Sequence, residues 1–183
     1  MAKRTEVVLA GLAGQGLVFA GTILADAVGL YEDKFISQLG FFSISARTGP
    51  SRSEVVIGDE EIDFPAATQP DIVVAFTRAD AQLYGARMRP GGVLIVDSDQ
   101  ECSCLPESLL IYRIPLVSIA RRELGEPLLA NLVALGAMAA LSEVVALESL
   151  EQAVASRVPG ARTETSLEAL RKGYSAGLLA KKT

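Results

Sequence analysis

Three stretches and one isolated amide are of types that could do chemistry. The first is Gly11-Leu12-Ala13-Gly14-Gln15-Gly16, which interrupts the apolar run Val7-Val8-Leu9-Ala10 and gives way to Leu17-Val18-Phe19-Ala20. A β-branched run that stops at glycines and restarts with helical spacing predicts a strand, a tight loop and a helix start. Backbone N–H groups at such a helix start lie at the positive end of its dipole and suit a phosphate or another anion. The second stretch holds Arg47, Thr48, Gly49, Ser51 and Arg52 around Gly49-Pro50. Read as a loop, it can offer hydroxyl, guanidinium and backbone donors to a carboxylate or phosphate; a solvated turn leading into a strand is the plainer account. The third is Cys102-Ser103-Cys104. Structural zinc and cluster sites take about four ligands, so this pair is at most half of one, and two free thiols is the plainer account. The isolated amide is Asn131, either a cap or a satisfied buried group, or a hydrogen-bonding member of a site.

What is missing narrows the chemistry further. The chain has no histidine, which removes Ser-His, Cys-His and His-metal constellations. No catalytic residue and no metal ligand is therefore expected in it. A dinucleotide fingerprint needs G-x-G-x-x-G and an acid at the end of the second strand. Here the order is G-x-x-G-x-G and the second strand closes on Gln38 and Leu39, so NAD or FAD binding is disfavoured. No Lys-Ser or Lys-Thr follows the glycines, which excludes a Walker loop.

The elements that must position these groups follow from the hydrophobic pattern. Strands are expected at Val7–Ala10, Lys34–Leu39, Glu54–Gly58, Asp71–Phe76, Val93–Asp97 and Leu109–Ile114. Helices are expected from Leu17 to about Val28-Gly29, from Asp80 to Met88, and then at Leu128–Leu141, Leu147–Arg157 and Ser166–Ala180. Alternation of the two predicts an α/β fold: a three-layer α/β/α arrangement on a mostly parallel, Rossmann-like sheet, with C-terminal helices, in a single domain over 1–183. Ligands of such sheets sit at the carboxyl ends of strands, where Gly14 to Gly16 should lie. The helix through Leu135 is apolar or small on every face, so it is either central or covered by another subunit.

Half of the residues are hydrophobic and 21% are charged, with a net charge of −5. That balance disfavours nucleic-acid binding, since no basic run is long enough to neutralise many phosphates. No apolar stretch reaches the roughly 20 residues of a membrane span, and no leader is visible after Met1, so a cytoplasmic location is expected.

Taken in order, several stretches resemble the gamma subunit of the 2-oxoacid:ferredoxin oxidoreductases, which include the pyruvate, 2-oxoglutarate and ketoisovalerate enzymes. They are Gly11 to Gly16, Ala46-Arg47-Thr48-Gly49 before Ser51-Arg52-Ser53-Glu54-Val55, Pro70-Asp71-Ile72-Val73-Val74-Ala75, Pro90-Gly91-Gly92-Val93-Leu94-Ile95, and Ala130-Asn131-Leu132-Val133-Ala134-Leu135-Gly136. The Ser-Arg-Ser-Glu-Val run and Asp59-Glu60-Glu61-Ile62-Asp63 are most similar to the 2-oxoglutarate type.

The resemblance implies oxidative decarboxylation of a 2-oxoacid with coenzyme A, giving acyl-CoA, carbon dioxide and reduced ferredoxin. Thiamine diphosphate with its Mg, and the iron-sulfur clusters, would belong to partners: alpha and beta (thiamine-binding) subunits and a ferredoxin-like delta subunit. A homodimer is the option open to the isolated chain. By the same resemblance, Gly11, Gly14, Gln15, Gly16, Arg47, Thr48, Gly49, Ser51, Arg52 and Asn131 would contact substrate, coenzyme A or the partner's active site. Arg47 or Arg52 would pair with a carboxylate or phosphate. Two departures fall in these stretches. Ala13 stands where the family usually has the first glycine of Gly-Gly-Gln-Gly, and Thr48 where it usually has the first glycine after the arginine. Two other readings are a stand-alone nucleotide- or anion-binding module and a purely structural scaffold.

Overall fold

The computed structural model of the chain describes residues 4–42, 49–158 and 160–182. Its first strand, β1 (Arg4–Leu12), contains the β-branched run and continues past Ala10 through Gly11 and Leu12, which pair with Ser51 and Pro50, and α1 (Leu17–Tyr31) follows the turn. A hairpin pair, β2 (Phe35–Phe42) and β3 (Pro50–Gly58), comes next. Then follow β4 (Ile72–Ala75), α2 (Arg78–Gly85), β5 (Val93–Asp97) and β6 (Leu110–Ile114). The chain finishes in helix: α3 (Leu116–Ser118) running into a π-helical turn at Ile119–Glu123, a short 3-10 turn, α4 (Ala130–Ser142), α5 (Leu147–Arg157) and α6 (Thr163–Ala180).

The strands form one sheet in the order β2-β3-β1-β4-β5-β6. β1, β4, β5 and β6 are parallel neighbours, and only β3 runs against the rest, antiparallel to both β1 and β2. The mostly parallel expectation holds, with one reversed strand inserted beside β1. Several strand boundaries also move, and two of them bear on the candidate site. β3 begins at Pro50 rather than Glu54, and β2 continues to Phe42, so Ser51, Arg52 and Ser53 are strand residues and not part of an open loop. Their polar side chains gave no strand signal, but pairing with β1 on one side and β2 on the other holds the backbone extended.

The two faces of the sheet are unequally covered. Val7, Leu9, Val55, Ile57, Ile72, Val74 and Ile95 pack into a core shared with α1, α4, α5 and α6. Val8, Ala10, Val73, Ala75, Leu94 and Val96 meet Ala81, Tyr84 and Met88 of the α2 segment. Fully burying a side chain such as Ile23 or Leu24 of α1 contributes about 1.5–3 kcal/mol.

Helix α4 is buried on every face, from Ala130 to Leu141. Its cover comes from this chain: α6 crosses it so closely that a Cβ on Gly136 would lie 2.0 Å from the Leu170 carbonyl oxygen, and one on Gly173 would lie 1.9 Å from that of Val133. The helix is central, so its apolar surface is no evidence for another subunit. Among the described residues, no helix is long and apolar enough to cross a membrane.

Candidate functional site

At the carboxyl end of β1 the chain makes a turn closed by its own glutamine. The Leu12 N–H donates to Gln15 Oε1 at 2.7 Å, and the Gln15 N–H donates to the Leu12 carbonyl at 3.2 Å. Gly11 lies directly beneath, where a Cβ would sit 2.3 Å from Gln15 Oε1. Gly16 ends the turn at φ 71° and begins α1. That left-handed backbone favours glycine, and so does the space, since a Cβ would come within 2.3 Å of Asn131 Nδ2.

Two other segments hold this turn from behind. The buried Asn131, in the first turn of α4, donates through Nδ2 to the Gly16 carbonyl at 3.0 Å. The Ala13 N–H donates to the Gly49 carbonyl at 2.9 Å, while Gly11 and Leu12 stand opposite Ser51 and Pro50 in the ladder. The structure thus brings Gly11, Gly14, Gln15, Gly16, Gly49, Ser51 and Asn131 together. Asn131 is a hydrogen-bonded buried amide that positions the turn. Arg47 and Thr48 lie outside the described residues.

Arg52 lies on a strand rather than in an open loop. Strand alternation puts it on the opposite face of β3 from Ser51 and Ser53. There Arg52 Nε donates to Glu54 Oε1 at 2.7 Å, and the guanidinium carbon stands 3.7 Å from the centroid of the Phe41 ring. Glu54 also accepts from the Ala67 N–H at 3.1 Å. These contacts orient the Arg52 side chain on that face, where it stays 36% exposed.

A polar group missed in the sequence fixes α1 over this edge. Gln38 donates to the Val18 carbonyl at 3.0 Å and to Ser53 Oγ at 3.3 Å, and Thr22 donates to Gln38 Oε1 at 3.1 Å. A Cβ on Gly21 would clash with Ser53 Oγ at 2.0 Å, so α1 lies almost on β3 there. The signal was present: Gln38 and Ser53 are polar residues in the inward-facing rows of two strands, and buried polar groups need partners.

Across β4 the edge is bounded by the start of α2. The Phe76 N–H donates to the Ala10 carbonyl at 2.9 Å, and the Thr77 hydroxyl caps α2 by accepting from the Asp80 N–H at 3.1 Å. Burial pushes the Asp80 carboxyl and the Tyr84 phenol up from their ordinary values. The Cys102 and Cys104 thiols are free and lie further along, in the β5–β6 connection, where the Cys102 carbonyl accepts from Arg113 Nη2 at 3.0 Å.

The turn's own side chains are glutamine, serine and asparagine around glycine backbone. They can hydrogen-bond and fix a shape, but none titrates near neutral pH. Leu12, Phe19 and Phe42 are exposed, the last at 73%. A cavity of about 780 Å³ lies elsewhere, at the β6 edge, lined by Ile114, Ile119, Lys172 and Ala176 among others.

Comparison with known proteins points one way. Residues 6–176 match the family described as pyruvate ferredoxin/flavodoxin oxidoreductase. The chain is 41% identical over 173 residues to the 2-oxoglutarate synthase subunit KorC of Methanocaldococcus jannaschii, covering 93% of this chain and 92% of that one. It is 30% identical to the pyruvate/ketoisovalerate oxidoreductases common subunit gamma of Pyrococcus furiosus, over 92% of this chain and 95% of that one. The crystal structure of the keto/oxoacid ferredoxin oxidoreductase gamma subunit from Geobacter sulfurreducens superposes with a TM-score of 0.86 at 39% identity, covering 97% of this chain and 98% of that one.

Proposed function

The chain belongs to the pyruvate ferredoxin/flavodoxin oxidoreductase family as a gamma subunit of a 2-oxoacid:ferredoxin oxidoreductase, and from that premise we propose that it serves an enzyme of the 2-oxoglutarate type. Its 41% identity to a 2-oxoglutarate synthase subunit, against 30% to a pyruvate/ketoisovalerate gamma subunit, supports that substrate class. The reaction joins the acyl group left by decarboxylation of the 2-oxoacid to coenzyme A and passes two electrons to ferredoxin.

In this reading the chain supplies shape and contacts rather than reacting groups. Two cysteines fall short of the four that a cluster takes, and among the described residues no three acidic or sulfur ligands converge. By the family resemblance, thiamine diphosphate, its Mg and the clusters are assigned to alpha, beta and delta partners. What carries the proposal is the asymmetry of the Gly11–Gly16 turn. Asn131 and Gly49 hold it from behind, while at Gly14 an added Cβ would meet nothing within 4 Å among the described residues. Together with the exposed Leu12 and Phe19, this makes a firm backbone surface for the thiamine-binding subunits, beside their active cleft or coenzyme A channel. Arg47 or Arg52 is assigned to the carboxylate or phosphate contact, Arg52 being oriented by Glu54 and Phe41.

Co-expression with alpha, beta and delta subunits tests this. The chain should co-purify with them, and the complex should reduce ferredoxin in a coenzyme A-dependent way, with kcat/KM for 2-oxoglutarate above that for pyruvate. Arg47→Ala or Arg52→Ala should raise the KM for coenzyme A or the 2-oxoacid about tenfold while leaving assembly intact, the size expected for one charge-assisted contact. Failure to recruit the thiamine-binding subunits, or an unchanged KM for both ligands in both variants, overturns the assignment.

A further inference from the structure

Strand β2 is left open by the fold. It occupies one border of the sheet and pairs, among the described residues, with β3 alone. Alternate backbone N–H and C=O groups along its outer side therefore face away from the sheet, as a template for another strand. Natural edges are usually blunted by charge, proline, a bulge or a covering element. Among the described residues β2 shows none of charge, proline or bulge: its sequence Phe35-Ile36-Ser37-Gln38-Leu39-Gly40-Phe41-Phe42 contains no charge and no proline, and its register with β3 is unbroken from Phe35↔Gly58 to Phe42↔Ser51. Phe35, Ile36 and Phe41 are exposed along it. The opposite border, β6, is shorter, carries Arg113, and has α6 packed against it.

Among the antiparallel registers open to the strand, one pairs its aromatic residues with each other. Residues opposed in an antiparallel pair share a face, so a two-fold axis normal to the sheet must pass through a residue position. Centred on Gln38, it sets Phe35 against Phe41 of the second copy and Phe41 against its Phe35, giving two aromatic pairs on one face. On the other face the bulky Ile36 meets Gly40 of the second copy. No charged residue opposes a like charge: Lys34, just outside the strand, is already paired with Asp59. We infer that β2 pairs antiparallel with β2 of a second copy of this chain, about a two-fold axis at Gln38, joining two sheets into one. β1 lies inside β3 in the sheet, so the pairing leaves the Gly11–Gly16 turn free, and the inference does not depend on the functional reading.

Sedimentation of the full chain over a concentration series tests it. The wild-type chain should be dimeric at micromolar concentration, and Ile36→Lys should weaken the dimer at least tenfold with an unchanged melting curve. In a chain with Cys102→Ser and Cys104→Ser, Gln38→Cys should cross-link into a disulfide-joined dimer on mild oxidation, and Ile36→Cys should not. Amide exchange within 35–41 of the wild-type chain should slow as concentration rises, and this reading stands even if Ile36→Lys fails to fold. A monomeric wild-type chain, a dimer indifferent to Ile36→Lys, or β2 protection that arises only when other subunits are added overturns the inference. Cross-linking by Ile36→Cys in place of Gln38→Cys overturns the register.

Discussion

The two ends of β1 are held in opposite ways. At the amino end the buried carboxylate of Glu6 accepts from the Thr68 N–H at 2.6 Å, the Gln69 N–H at 2.8 Å and Arg4 Nε at 2.9 Å. The Glu6 N–H donates to Asp71 at 2.8 Å, Asp71 stands 3.4 Å from Arg89, and Arg4 also donates to the carbonyls of Phe64 and Ala66. At the carboxyl end the turn holds no charge and is tied by backbone bonds, the Gln15 amide and Asn131. Charges that satisfy one another draw a loop inward and close a surface. Glycine backbone fastened only from behind leaves its front accessible. The amino end therefore secures the fold, and the carboxyl end is where a partner can approach.

The largest expected effect tests the amino end. Burial alone would push the Glu6 carboxyl up, but the Gln69 and Thr68 N–H groups and Arg4 outweigh it and hold it below its ordinary value. A depressed carboxylate contributes stability that is fully present above its unfolded pKa, about 4.3, and is lost as pH falls through the folded value. Glu6→Gln keeps the shape but turns an amide NH2 toward backbone donors, so it should cost about 2 kcal/mol at neutral pH. Chemical denaturation from pH 7 down to pH 3 should show the gap between wild type and variant closing below about pH 4.3. A gap independent of pH would mean that packing, and not the carboxylate, secures this end.

Asn131→Ala tests the other end, with a smaller effect on stability and a larger one on turnover. The Gly16 carbonyl also accepts the Ala20 N–H at 2.9 Å, so losing Asn131 leaves no orphaned acceptor. The isolated chain should lose only about 1 kcal/mol. In the assembled enzyme the loosened turn should lower kcat/KM for coenzyme A about tenfold, because misplaced contacts are costly for positioning. If the variant is as destabilised as Glu6→Gln while turnover is normal, the contrast between the ends is wrong.

How much of this was legible in the sequence differs by kind of evidence. Strands such as Val93–Asp97 and the helix Leu147–Arg157 fell where their apolar periodicity put them. The partnership of Arg52 with Glu54 was open to the same reasoning, since residues two apart share a face of a strand. It was hidden because Ser51-Arg52-Ser53 reads as a loop until β1 and β2 flank it. The cover on α4 was illegible for another reason. Gly136 and Gly173 are weak helix formers in isolation, and their purpose shows only when two helices are crossed at backbone contact.

The smallest expected effect on the isolated chain is the sharpest test of the open front. Gly14 has φ 92° with nothing among the described residues within 4 Å of where a Cβ would stand, so Gly14→Ala meets there the backbone cost of a left-handed alanine, about 1 kcal/mol. Gly16→Ala adds a clash with Asn131 and should unfold the chain at lower denaturant. If the front faces solvent in the working enzyme, Gly14→Ala leaves assembly and turnover unchanged once the small stability loss is allowed for. If a thiamine-binding subunit lies against it, the added methyl must be accommodated in a packed interface, where such overpacking costs about 1–3 kcal/mol. Co-purification yield or the KM for coenzyme A should then shift far more than the melting temperature does. That disproportion between a nearly silent change in the free chain and a marked one in the complex is what the two-ended construction of β1 requires.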